Sequence, residues 1–263
     1  MKDSVRSVSG IMLLFVFTLA FSFNSSLSAR DYYQIKVYTI KDAAQEATID
    51  HYLKNAYIPA MHRAGIKKVG VFKPIEEDPA AGTKIFVFIP LKGLGDIEKI
   101  EDKLLKDKQL QTDGAEYINA AYDNPPYERM ESILLMAFSE QPEFNVFEYD
   151  TPKSEQIFEL RSYQSATEKI GRKKLEMFNE GGEVDIFRKV GSNAIFYGKV
   201  LSGSVMPNLM YMTSYSDIDS QKAHWDAFRD HPDWKELSGK EEYQNTVSHI
   251  DKWLCHPADY SDI

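Results

Sequence analysis

Cysteine is nearly missing from this chain: Cys255 is the only one among 263 residues, so no disulfide can form within it. Nothing in the sequence around Cys255 would lower its pKa, neither a helix start nor a basic cluster, and an inert thiol near the C-terminus is expected. Catalytic signatures are missing too. No HExxH occurs, GLGD at Gly93 lacks the third glycine of a dinucleotide loop, and LSGSV around Ser204 lacks the nucleophile-elbow pattern. These absences argue against the common zinc-protease, dehydrogenase and serine-hydrolase classes, and no cofactor is expected. No basic block offsets a formal charge of −9, which disfavours nucleic acid and anionic membranes as partners. The longest apolar run, Ile11 to Phe23, is short of the roughly 20 residues that span a bilayer.

That run has another reading. It follows Lys2 and Arg6 and is followed by Ser25, Ser26, Ser28 and Ala29, the layout of a secretory signal peptide over residues 1–29. Cleavage near Ala29 is expected, with a periplasmic or secreted product that has no membrane contact after cleavage. Removal of Lys2, Arg6 and Asp3 would move the formal charge from −9 to −10.

In what remains, one series of elements occurs twice. Tyr32–Ile40 alternates as a strand, and Ile49, Leu53, Tyr57 and Ala60 draw a helical stripe from about Ala43 to Ala64. Pro59 should bend that helix and Gly65 should end it in a left-handed cap. Strands at Lys68–Ile75 and Thr83–Leu91, a polar helix from Asp96 to about Ala121 broken near Gly114, and a strand at Ser132–Phe138 complete a βαββαβ order. A connection of 141–155 carries two prolines. The order then returns: Ile157–Tyr163, a helix from Glu168 that runs irregularly past Gly181 and Gly182 to Val190, strands Asn193–Val200 and Asn208–Tyr215, a helix Asp217–Asp230 stopped by Pro232, and Thr246–Leu254. Tyr38 aligns with Tyr163 and Gly65 with Gly191, a duplication at a spacing of roughly 125 residues. The expected domains are 30–140 and 156–263.

A βαββαβ unit leaves one sheet face bare. The expected fold is therefore α+β, with two tandem ferredoxin-like units whose four-stranded sheets pack face to face into a closed or nearly closed barrel, helices outside.

IFELRSY, KVGSNAIFYGKVLSG, PNLMYMTSYSD and HWDAFRDHPDW, within Ile157–Leu254, together resemble the NIPSNAP family of the dimeric α+β barrel group. IKVYTI and AYIPAMHRAGIKKVGVF resemble the opening of the same domain, so the first half reads as a divergent copy, without the tryptophan helix and the HPDW stop. The resemblance implies paired sheets and little chemistry: the wider group includes cofactor-free monooxygenases, chlorite-handling haem enzymes and small-molecule binders.

Alternation on the strand from Ile157 puts Phe158 and Leu160 on one face and Glu159, Arg161 and Tyr163 on the other. With the apolar pair against the helices, the polar row would point into the barrel, echoed in the first half by Gln34, Lys36 and Tyr38. Such a row could clamp a carboxylate or enolate, or merely pair its own charges. Tyr197 shares a strand face with Lys199, and His249 shares one with Asp251 and Trp253, an arrangement open to general-base or purely structural roles. His62 and His231 fall at helix ends, His224 and His231 lack a third ligand at a matching spacing, and no metal site is expected. Trp225, Phe228 and Trp234 read as a structural aromatic cluster.

Two functions fit. One is a binder of a small apolar, acid-bearing molecule within the barrel, extending to cofactor-free oxidoreductase or isomerase chemistry. The other is a non-enzymatic barrel that engages another protein, with homo-oligomer formation left open. An open lumen lined by the polar row favours the first reading and a plugged lumen the second.

Overall fold

The computed structural model describes residues 29–263, and residues 1–28 of the expected leader lie outside the described residues. In the first half, β1 (Tyr32–Thr39) leads to α1 (Ala43–Tyr52), capped by Asp42, whose carboxylate accepts from the Gln45 N–H at 2.9 Å. The expected effect of Pro59 takes a definite form: Leu53–Tyr57 winds as a π-helical turn before α2 (Ile58–Ala64). Proline has no N–H to offer Asn55, and the backbone slips to the wider pattern, in which the Ile58 N–H reaches the Leu53 carbonyl. Gly65, at φ 107°, ends α2 as a left-handed cap. Then come β2 (Gly70–Pro74), β3 (Lys84–Leu91), three short helices, α3 (Asp96–Lys106), α4 (Lys108–Asp113) and α5 (Ala115–Ile118), and β4 (Arg129–Ala137).

The second half repeats the order with β5 (Ile157–Gln164), α6 (Glu168–Phe178), α7 (Glu183–Lys189), β6 (Asn193–Ser202), β7 (Asn208–Tyr215), α8 (Ile218–Asp230), α9 (Pro232–Gly239) and β8 (His249–Pro257). Two boundaries differ from the sequence reading. Pro232 ends α8 but also opens α9 at its first position, where a missing N–H costs nothing, and the His231 ring accepts from the Asp233 N–H. The last strand begins at His249 rather than Thr246, because the Thr246 hydroxyl is tied into a turn through the Tyr243 carbonyl.

The eight strands close into one antiparallel barrel in the order β1-β3-β2-β8-β5-β7-β6-β4. Each half contributes the ferredoxin-like order, and its edge strands pair with the other half's edges, β2 with β8 and β4 with β6. The two sheets thus close into one continuous cylinder, the closed barrel expected from the sequence. At the β4–β6 seam the strands approach so closely that a Cβ on Gly198 would lie 3.0 Å from the Leu135 Cβ.

Registers fix which residues face inward. Phe158 opposes Cys255, Leu160 opposes Trp253 and Met212, and these pack with Tyr33, Phe72, Phe86, Phe88 and Phe196 from the remaining wall. Phe88 and Phe196 stack at 4.9 Å, Tyr33 lies 5.2 Å from both, and Phe72 lies 4.8 Å from Phe158. The connection after β4 crosses this end of the barrel: the Asn145 N–H bonds the Ile195 carbonyl, and Phe144 and Phe147 pack on the core. The lumen is therefore plugged by aromatic side chains from its capped end, and only the opposite mouth is open.

This inverts one expectation. Phe158 and Leu160 fill the lumen, whereas Glu159, Arg161 and Tyr163 face the helices, as do Lys36 and Tyr38 of the first half. A cylinder of eight strands encloses a space that side chains just fill, and charged groups there would have no partner.

Two outcomes follow. Phe196→Ala should lower stability by about 3–5 kcal/mol in urea melts, because the plug cannot collapse around the cavity; a loss below about 1 kcal/mol would mean that the lumen is loosely filled. Cys255, fully buried with its thiol pushed up by burial, should resist iodoacetamide in the native protein and react once guanidinium unfolds it. Rapid native labelling would contradict the closed lumen.

Candidate functional site

The polar row of β5 meets α8. Asp217 caps that helix, accepting from the Ser220 N–H at 2.7 Å, and the cap sets the rotation that turns Gln221 and Trp225 toward the sheet. The Gln221 amide and the Trp225 indole both donate to Glu159 Oε2, at 2.8 and 2.5 Å, and Arg161 Nε donates to Oε1 at 2.6 Å. The Arg161 guanidinium lies 3.8 Å from the Trp225 ring centroid and donates to the Tyr163 hydroxyl at 3.0 Å, which in turn shares a 2.9 Å hydrogen bond with Tyr211. Glu159 is 1% exposed, yet both of its oxygens are bonded.

A second buried ion pair adjoins it. Lys174 Nζ of α6 donates to Glu183 Oε2 of α7 at 2.7 Å, with the Phe178 ring centroid 4.7 Å away. Burial pushes the Glu183 carboxyl up and Lys174 pulls it back. Burial also works against the Arg161 charge, but the Tyr211 and Tyr163 hydroxyls and the Glu159 carboxylate outweigh it and raise its pKa. Tyr197 joins the cluster 5.5 Å from the Tyr211 ring, with its hydroxyl fully buried and unpartnered among the described residues.

At its Tyr163 end the network opens onto a cleft of about 230 Å³ between α6 and the β6–β7 hairpin. Leu175, Leu201, Met206 and Leu209 supply an apolar wall. Arg172 and Lys199 bring two cations against the single carboxylate of Glu168. The first turn of α6, capped by the Thr167 hydroxyl, borders the same space and adds its positive end. Such a cleft can hold a small apolar body and orient an acid group toward the guanidinium and ammonium.

The other sequence candidates lie elsewhere. His249 sits on the lumen side of β8, 60% exposed, with Nε2 3.0 Å from Asp251 Oδ1, while Asp251 Oδ2 accepts from Gln164. It is on the opposite face of the sheet from Arg161. Asp251 lines the open barrel mouth, a pocket of about 250 Å³ with Phe86, Met210 and Trp253 on its floor and Lys84 and Glu131 on its rim. Lys36 lies 4.9 Å from the Tyr57 ring centroid in the first half's helix layer, where the Tyr117 hydroxyl donates to that of Tyr38 at 3.3 Å. His62 bonds Asp262 at 2.8 Å. Trp225, Phe228 and Trp234 form the expected cluster, at centroid distances of 5.6 and 4.7 Å, but Trp225 also serves the polar row.

Sequence reasoning missed the Lys174–Glu183 pair and the cleft. The first had a signal, since Lys174 falls three and four residues before Met177 and Phe178 and so shares their apolar helix face. The cleft had none, because it forms only where the end of β5, α6 and the β6–β7 hairpin pack together in three dimensions.

Residues 158–262 match the NIPSNAP family, in agreement with the second-half resemblance. No relative is found among curated proteins. Solved structures similar to the chain include two described as putative monooxygenases. The one from Lactobacillus acidophilus NCFM is 14% identical, with 87% of this chain and 94% of that one covered at a TM-score of 0.55. The one from Fusobacterium nucleatum subsp. nucleatum is 11% identical, with 88% and 93% covered at 0.57. An anthrone oxidase-like protein is 11% identical, with 88% and 93% covered at 0.52. At these identities the likeness shows the fold, an α+β barrel of the dimeric type closed within one chain.

A double-mutant cycle tests the polar row. Arg161→Met should cost about 3–5 kcal/mol in urea melts by leaving Glu159 buried without its cation, and Glu159→Leu in the same chain should recover much of that. A midpoint unchanged by Arg161→Met would show that the guanidinium does not stabilise the empty protein.

Proposed function

We propose that the protein, with its NIPSNAP match over residues 158–262, is a binder of a small apolar molecule bearing one acid group, and that it acts outside the cytoplasm. The filled lumen removes the barrel interior as the ligand site and by itself favours the protein-engaging reading; the ligand reading rests instead on the cleft between α6 and the β6–β7 hairpin. One observation carries the reading: a concave apolar wall, with Tyr163 at its edge, that ends in Arg172 and Lys199. At about 230 Å³ the cleft falls below the usual 300–1,000 Å³ of drug-sized sites, which restricts the ligand to a single ring or a short chain.

Oxidoreductase or isomerase chemistry is a further step in the same direction. It draws on the two neighbours described as putative monooxygenases, whose fold this chain shares. The export part of the proposal rests on the N-terminal residue pattern alone.

The probe pair is 3-phenylpropanoate and 3-phenylpropanol, compared by titration calorimetry and thermal melts. The acid should bind and raise the melting temperature, and the alcohol should bind at least about tenfold more weakly, the equivalent of one charge-assisted contact. Arg172→Ala with Lys199→Ala should abolish that preference with little change in the unliganded melt, since both side chains are exposed. Equal binding of acid and alcohol, or undiminished acid binding by the variant, would reject the proposal.

A further inference from the structure

An acidic protein that gathers lysines in one place has an electrostatic feature in need of an explanation. The formal charge is −9, yet a groove of about 340 Å³ between the C-terminal end of α2 and α3 has Lys67, Lys68, Lys92, Lys99 and Lys103 on its walls. Its lining carboxylates are Asp31 and Asp96, and Glu143 lies 3.8 Å from Lys92, which leaves a local surplus of two positive charges. The floor is apolar, made by Leu91 and Ile100 with Phe144 of the barrel-capping connection.

Four of the lysines are already held in place, Lys68 among them through a 3.3 Å hydrogen bond to the Asp262 carbonyl. Lys103 donates to the Ala64 carbonyl at 2.7 Å and so offsets the negative end of α2, Lys99 reaches Asp96 at 3.2 Å, and Lys92 reaches Asp31 at 2.8 Å. Asp31 is 2% exposed, and its second oxygen has no partner among the described residues. That carboxylate faces Lys92 and offsets its charge, so the attraction of the groove for an anion rests on the remaining lysines.

We propose that this groove binds a soluble amphiphile whose head is a phosphate monoester and whose body is a short alkyl or aryl group. Lysines act as point charges toward phosphate, and a dianion offsets both surplus charges where a monocarboxylate offsets one. The apolar floor and the size of the groove call for a body beyond inorganic phosphate. A bilayer is disfavoured because the site is concave and the remaining surface is acidic. The site lies in the first half, apart from the Arg172–Lys199 cleft, and stands or falls independently of it.

Calorimetry on the full chain with octyl phosphate, octanoate and inorganic phosphate tests this, each kept below any aggregation concentration and measured at two salt levels. Octyl phosphate should bind at least about tenfold more tightly than the other two and weaken with salt. Lys67→Glu with Lys99→Glu should reduce its affinity at least about tenfold, and the neutral pair Lys67→Gln with Lys99→Gln by less; all are exposed positions, with folding checked by circular dichroism. The Arg172→Ala, Lys199→Ala variant should bind octyl phosphate unchanged. Octanoate binding as tightly as octyl phosphate would overturn the proposal, as would binding that survives the charge reversal or is lost in the Arg172 variant. Co-sedimentation with phosphatidylglycerol vesicles without binding of free octyl phosphate would replace it with membrane docking.

Discussion

Closing eight strands into a cylinder decides almost everything else in this molecule. The interior so formed is filled by side chains over the half stoppered by Phe144 and Phe147 of the connection between halves, and only the opposite mouth stays open. Tyr33, Phe88 and Phe196 fill it at ring distances of about 5 Å, a density that leaves no place for an ion pair. The charged side chains of β5 therefore face the helix layer, where α8 can bring donors to them. Glu159, Arg161, Trp225 and Tyr163 are one consequence of that constraint, and the cleft beside Tyr163 is another.

Both clefts lie where the barrel is not closed over. The helix layer of the second half meets the sheet imperfectly at the α6 end, and the gap is bordered by Arg172 and Lys199. In the first half the corresponding imperfection lies between α2 and α3 and is bordered by lysines. A duplicated fold thus carries two unlike cavities, because the side chains that line its gaps are free to differ while those that fill the lumen are not.

Much of the fold was legible in the sequence. The repeated βαββαβ order came from hydrophobic period, the Gly65 stop from residue chemistry, and the bend near Pro59 from a missing N–H. The facing of β5 was not legible. Alternation separates Phe158 and Leu160 from Glu159 and Arg161, but it does not say which set faces inward, since both a helix layer and a barrel core accept an apolar row. The deciding partners, Gln221 and Trp225, lie about sixty residues away, and Trp225 looked like packing alone. Of the candidate residues, Glu159, Arg161, Tyr163 and Tyr197 come together, while His249, Lys36 and Tyr38 stand apart because strand pairing places them on other faces or in the other half.

The central claim is that a ligand sits against the helix side of the sheet while the lumen stays filled with side chains. Intermolecular NOEs between 3-phenylpropanoate and methyl-labelled protein test it directly, because the two candidate cavities have different methyl groups. Cross-peaks from the ring to Leu175, Leu201 and Leu209 are predicted, and cross-peaks to Val37, Ile133 and Met210 at the barrel mouth would contradict the account.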